Sequence, residues 1–251
     1  MGYAMDQFHT LDLTLFAIGT FAAAFVTGFA GFAFGIVAAA VWLHFLQPVQ
    51  AAALIVAFGL IVQCVSVWKL RRAINWPRLL PFLIGGVIGV PVGGELLRWT
   101  APGNLRIAVG AILILFSLYS LFRPSIVSAA RAGALADGTV GVINGVIGGA
   151  TGLAGIAAVI WCSLRGWTPA EQRAVFQPSG VVVFAMTVMW LGSTGMIGPD
   201  TLTLFLIGLP ALAVGTWVGL KLFGKLDEQS FRRVVLLLLL ISGLSLVILG
   251  H

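Results

Sequence analysis

The chain has 251 residues, of which 60% are apolar and 9% charged, and its formal net charge is +6. Soluble domains hold roughly 45–50% apolar and about 25% charged residues, so a soluble globular fold is excluded. An outer-membrane barrel is excluded too, because its strands would read as segments of about ten residues alternating in polarity, and this sequence has none.

The first apolar run, Leu11 to His44, is 34 residues long and holds one charge, Asp12. It follows the acidic Asp6 and lacks a basic leader and a small-residue cleavage site, so it reads as structure rather than as a signal peptide. Near its middle lies FVTGFAGFAFG (25–35), where Thr27, Gly28, Gly31 and Gly35 interrupt a would-be spanning helix. Runs near the ~20 residues that cross hydrocarbon follow at 49–68, 79–97, 105–122, 172–191, 201–222 and 233–250. The chain is therefore expected to be an all-α, polytopic membrane protein. Lys and Arg fall in short clusters between these runs, as in cytoplasmic loops facing anionic lipid, which argues against a nucleic-acid partner. Cys64 and Cys162 sit in apolar segments and read as packing residues, and the eight tryptophans and His44 read mostly as interfacial anchors.

The second half of the chain repeats the first. FVTGFAGFAFG aligns with VINGVIGGATG (142–152), placing Gly28, Gly31 and Gly35 on Gly145, Gly148 and Gly152, and Thr27 on Asn144. LQPVQAAA (46–53) aligns with WTPAEQRA (167–174), INWPRLLPFLIG (74–85) with IGPDTLTLFLIG (197–208), and GVPVGGELL (89–97) with GTWVGLKLF (215–223). The offset drifts only from 117 to 126, which small loop insertions explain. The organisation is thus two repeats, 10–122 and 135–250, joined by a polar linker at 123–134. Charge sets their orientation. The basic cluster Lys69, Arg71, Arg72 and Arg78 follows the second apolar segment of the first repeat, whereas Lys221, Lys225, Arg232 and Arg233 follow the third of the second. Equivalent loops would then face opposite sides, although Arg98 and Arg106 fall on the supposed outer side.

Under that topology 137–164 must begin and end on one side, as must 13–45. Each is expected to be a hairpin with arms of about 13 to 16 residues, its tip partway across the bilayer. Glycine permits such a turn at depth. Second arms starting at Phe32 and near Gly152 would aim N-terminal amides and the positive dipole end at a central anion. Thr27, Gln63, Asn144, Thr151, Gln177 and Ser179 could line that cavity, and Gln177-Pro178-Ser179-Gly180 is expected to interrupt another span. The carboxylates lie near segment ends, so a neutral, donor-rich cavity suits an anion better than a cation. Plainer roles compete: helix packing for Gly89/Gly93 and Gly215/Gly219, a snorkelling or ion-paired role for Arg173 beside Glu171, and satisfaction of turn backbone for Thr27 and Asn144.

TGFAGFAFG in the first half, NGVIGGATGLAGI in the second, and the intervening basic loop resemble the TauE/SafE family of bacterial sulfite and organosulfonate exporters, over nearly the whole chain. The resemblance implies a multi-pass inner-membrane carrier for sulfur-containing anions. Its implied binding residues are Thr27, Gly28, Phe29, Ala30 and Gly31 at one tip, and Asn144, Gly145, Gly148, Gly149 and Thr151 at the other. The second copy departs from the first beyond its third glycine, with GLAGIAA in place of GIVAAAV.

The resulting expectation is a secondary transporter, not an enzyme, working by alternating access around a small anion. Gln177 and Ser179 join the site, and Arg173 is the charge partner. No cofactor is expected. Without a Gly-rich loop ending in Gly-Lys-Ser/Thr, coupling falls to Na+ or H+, or transport is uncoupled. The partners are the anion and the lipid bilayer, a homodimer is compatible, and the N-terminus would be periplasmic. An anion channel, or a carrier for another carboxylate or oxyanion, is the alternative. An intramembrane enzyme fits poorly, because His9, His44 and His251 all fall at segment ends.

Overall fold

In the computed structural model the described residues are 10–30, 33–122, 132–222 and 228–249, and among them the chain is helical with no strand. One order of elements occurs twice: α1 (Thr10–Ala30), α2 (Phe34–Trp42), α3 (Pro48–Leu70), α4 (Trp76–Trp99) and α5 (Pro102–Phe122), then α6 (Ala134–Thr151), α7 (Ile156–Leu164), α8 (Pro169–Ser193), α9 (Pro199–Leu222) and α10 (Glu228–Leu249). Proline opens α3, α5, α8 and α9, where its missing N–H would have had no helical acceptor. Thr168 adds a capping box to α8, accepting from Glu171 N–H while the Glu171 carboxylate accepts from Thr168 N–H.

Five helices are long and apolar enough to cross a membrane: Pro48–Trp68, Trp76–Trp99, Pro102–Phe122, Pro169–Ser193 and Pro199–Leu222. The 9-residue α2 and α7 are not. At 1.5 Å per residue each spans about 14 Å of a hydrocarbon layer about 30 Å thick. Both break points fall in the glycine-rich stretches, but the arms are unequal. The first arms run to 21 and 18 residues and the second arms to 9 each, beginning at Phe34 and Ile156. The expected interruption of α8 does not occur, since one helix passes through Pro178. Proline there removes the bond to the Ala174 carbonyl, and the packed neighbours hold the helix on course.

The helices form two compact units. One holds α1, α2, α3 through Phe58, α5, α9 and α10; the other holds the rest of α3, α4, α6, α7 and α8. Each unit therefore combines the short-helix hairpin of one half of the sequence with a long helix of the other, so units and sequence repeats divide the chain differently.

Glycine sets the closest contacts inside each unit. On α4, a Cβ at Gly85, Gly89 or Gly93 would lie 2.2 Å from the carbonyl oxygens of Gly138, Val142 and Val146 of α6. In return, a Cβ at Gly141, Gly145 or Gly149 would lie 2.7, 2.5 and 2.5 Å from those of Phe82, Gly86 and Val90. Spacing of four keeps each triplet on one helix face, so the two backbones meet along two full turns. Another face of α4 exposes Leu80, Ile84, Ile88, Val92 and Leu96, an apolar stripe suited to lipid. In the other unit a Cβ at Gly28 of α1 would lie 2.6 Å from the Thr216 carbonyl oxygen of α9, and one at Gly215 would lie 2.6 Å from that of Phe21.

Trp68, Trp76, Trp99 and Trp217 are exposed near helix ends. Three of them carry a cation, from Arg71 at 4.2 Å, Arg98 at 5.5 Å and Lys221 at 4.8 Å. The anchor role does not extend to Trp42, which is fully buried; Trp161 and Trp190 are half-buried, one bonded to Asp137 and the other packed against Gly94.

Gly89→Ala should destabilise the protein by roughly 1–3 kcal/mol, because a methyl forced against backbone cannot be accommodated by a rotamer change. Gly192→Ala, which meets nothing within 4 Å, should be tolerated. Melting temperatures of the two variants in detergent check the contrast.

Candidate functional site

The second hairpin is held by three polar groups on one face of α6. Asp137, Asn144 and Thr151 recur every seven residues, close to two helical turns, and all are buried, to 4%, 2% and 9% exposure. Each accepts a bond from the returning chain. Trp161 Nε1 donates to Asp137 Oδ1 at 2.7 Å, Gly155 N–H to Asn144 Oδ1 at 2.7 Å, and Leu153 N–H to Thr151 Oγ1 at 3.2 Å. Arg165 Nη2 faces Asp137 Oδ2 at 3.5 Å, and Arg165 Nη1 donates to the Ala132 carbonyl. The order of these bonds lays α7 antiparallel along α6.

A backbone N–H can only donate, so the Asn144 atom facing Gly155 must be the oxygen. The amide is thereby oriented, with its two Nδ2 hydrogens left as donors. Gly152 (φ 75°) closes α6 and Gly155 (φ 105°) opens α7, and no side chain caps α7. The first bond of α7 runs from Val159 N–H to Gly155 O at 2.8 Å, so the N–H groups of Ile156, Ala157 and Ala158 precede any helical acceptor. Ile156 and Ala158 are buried, at 7% and 0%. A buried, uncapped helix start concentrates donors and the positive end of the dipole, and an anion satisfies both.

The first hairpin builds the same kind of end differently. Ala33, at φ 84°, is the one non-glycine residue with positive φ among the described residues, a conformation that costs a residue with Cβ roughly 1–2 kcal/mol. It precedes α2, which no side chain caps, and the first helical bond is Val37 N–H to Ala33 O at 3.1 Å. Thr20 and Thr27, seven residues apart, occupy the positions matching Asp137 and Asn144, but donate to carbonyls of their own helix, Phe16 and Ala23, each at 2.7 Å. Aromatic packing holds α2 instead. Trp42 stacks on Phe16 at 5.0 Å and meets Phe34 and Phe58 near 6 Å. Arg106 of α5 donates to the Leu43 carbonyl at 3.0 Å and the Leu46 carbonyl at 3.3 Å, completing the negative end of α2 with a positive charge. That bond, and the pairing of Arg98 with Glu95 at 3.9 Å, engage the two arginines that sat badly with the loop-charge pattern.

The residues expected from the sequence fall into distinct settings. Asn144 and Thr151 meet the returning chain at the second tip, and Thr27 lies buried in α1. Gly28, Gly145 and Gly149 turn their Cα faces to neighbouring helices, and Gly148 faces Val183 and Ala154. Phe29 and Ala30 end α1, whereas Gly31, with Phe32, lies outside the described residues. The turns themselves use Ala33, Gly152 and Gly155. Gln177 and Ser179 are buried on α8, and Ser179 donates to the Phe176 carbonyl at 3.0 Å. The Gln63 amide sits 2.6 Å from where Gly180 would carry a Cβ. Arg173 is half-buried on α8, and its neighbour Glu171 pairs with Arg78 at 2.7 Å rather than with Arg173. The sequence reading passed over Asp137, Trp161 and Arg165. The available signal was the seven-residue recurrence of Asp137, Asn144 and Thr151 in an otherwise apolar segment.

Among the described residues the chain is helical throughout, with five helices long and apolar enough to span, which is the architecture of a multi-pass membrane protein. Residues 15–246 match the family model described as Sulfite exporter TauE/SafE, and the chain belongs to that family. It is accordingly a membrane transporter. No curated protein and no solved structure matches it with significant similarity.

Arg106→Leu should loosen the first hairpin by roughly 2 kcal/mol, the order of a lost charge-assisted bond, and lower the melting temperature. Arg106→Lys, which keeps the charge at the α2 end, should recover part of the loss in the same melt.

Proposed function

We propose that the protein is a secondary carrier that exports sulfite and related small sulfur oxyanions, including organosulfonates, by alternating access. The observation that carries this reading is the buried, uncapped start of α7 beside an amide whose oxygen is already committed. Together they offer several N–H donors and no negative charge of their own. Asp137, the carboxylate on the same helix face, lies two turns from Asn144, about 10 Å along the axis. The start of α2 offers the same kind of donor array. Thr27, Thr151 and Ser179 give their protons to backbone carbonyls, so toward a substrate they present lone pairs, suited to a protonated oxygen or its hydration water. Arg173 is the remaining charge partner.

The two repeats would run in opposite directions across a bacterial inner membrane, with a periplasmic N-terminus. Coupling to Na+ suits the carbonyl that Pro178 releases at Ala174; coupling to H+ and uncoupled export are the other options. An anion channel would use the same donors but would show no counterflow in proteoliposomes.

Binding of sulfite, sulfate, sulfoacetate, taurine and chloride to the purified protein, with and without sodium, tests this reading. Asn144→Leu removes an oriented donor and should weaken sulfite binding by about tenfold or more. Thr27→Val removes only an acceptor and should weaken it less. Wild-type affinity in both variants would take these side chains out of the site.

A further inference from the structure

The hairpin that presents the α7 start has a fixing device at its other end that the transport reading does not use. The residues of α7 between its anchors, Ile156 to Ile160, are Ile, Ala, Ala, Val and Ile. Such contacts are non-directional, so they leave the sliding position of α7 along α6 weakly defined. Two polar rungs define it. Asn144 holds Gly155 at the tip, and Asp137 holds Trp161 and Arg165 at the base. Along α6 the rungs are seven residues apart, about 10 Å; along α7 residues 155 and 161 are six apart, about 9 Å. The spans match, so both rungs close in one register only. Sliding α7 by a single residue, about 1.5 Å, would break the bond that orients the Asn144 amide.

We propose that Asp137, with Trp161 and Arg165, is a positioning group for the anion site, setting the register of α7 on α6 so that Asn144 keeps its oxygen on Gly155 and its amide hydrogens toward the substrate. This rests on the reading of the second tip as the anion site. Asp137 does not touch the anion; it acts through the helix. A buried polar group used to select one register is an attested role. The first hairpin, with Thr20 bonded to its own helix and Trp42 packed on Phe16, lacks the ionic rung at the matching position.

The test is sulfite efflux from proteoliposomes, with rates normalised to folded transporter and melting temperatures recorded in parallel. Asp137→Leu removes the base rung, and Trp161→Phe removes its short, directional bond while leaving the longer Arg165 pair; each should raise the half-saturating sulfite concentration by about tenfold, while the maximal rate stays within about threefold. Asp137→Asn keeps an acceptor for Trp161 and removes the negative charge that faces Arg165. It should lower the melting temperature and leave half-saturation near wild type. Should Asp137→Leu fail to fold, Trp161→Phe decides alone. Wild-type half-saturation in Trp161→Phe, alongside weakened binding in Asn144→Leu, would overturn the positioning role and spare the site. Unchanged binding in Asn144→Leu would overturn both.

Discussion

A helix broken inside hydrocarbon must find partners for the backbone groups it releases, since no water is there to take them. The arrangement of this transporter follows from that constraint. Both short helices begin with N–H groups that no side chain caps, and both are folded back against a longer helix rather than left facing lipid. Depth in the protein makes the open donors costly when empty and selective when filled. A carboxylate placed at either start would cap the helix and repel the anion proposed to bind there. Neutral residues avoid both outcomes.

Breaking a helix at depth also requires that its neighbours come close enough to enclose it. Glycine does this. The α4 and α6 backbones touch through Gly85, Gly89 and Gly93 on one side and Gly141, Gly145 and Gly149 on the other, and α1 meets α9 through Gly28 and Gly215. Each contact joins a hairpin of one half of the sequence to a long helix of the other. The two hairpins are then stabilised by different chemistry. The second relies on Asp137, Asn144 and Thr151, the first on Phe16, Trp42, Phe58 and the capping Arg106. The two halves of the chain have thus reached the same order of helices with two sets of side chains.

Composition and run length were enough to read an all-helical, multi-pass protein, because hydrocarbon admits few alternatives to a continuous apolar helix. The breaks were also legible to within a few residues, from glycine density in FVTGFAGFAFG and VINGVIGGATG. What the glycines do was less so. A glycine that turns the chain and one that admits a neighbouring backbone leave the same letter in the sequence, and only φ and the facing atoms separate Gly152 and Gly155 from Gly145 and Gly149. Pro178 misled for a related reason: whether proline ends a helix depends on what packs beside it. Asp137 and Arg165 drew no site role from the sequence, since nothing local reveals that the hairpin will bring them together. Arg106 looked like a loop charge until α2 was seen to end beneath it.

Selenite matches sulfite in charge and shape, and it scatters anomalously. An anomalous difference map of crystals grown with selenite would therefore locate the oxyanion directly. The account predicts a peak within hydrogen-bonding distance of the N–H groups of Ile156 to Ala158 and of Asn144 Nδ2. A well-occupied peak elsewhere in the protein, with the start of α7 empty, would contradict it.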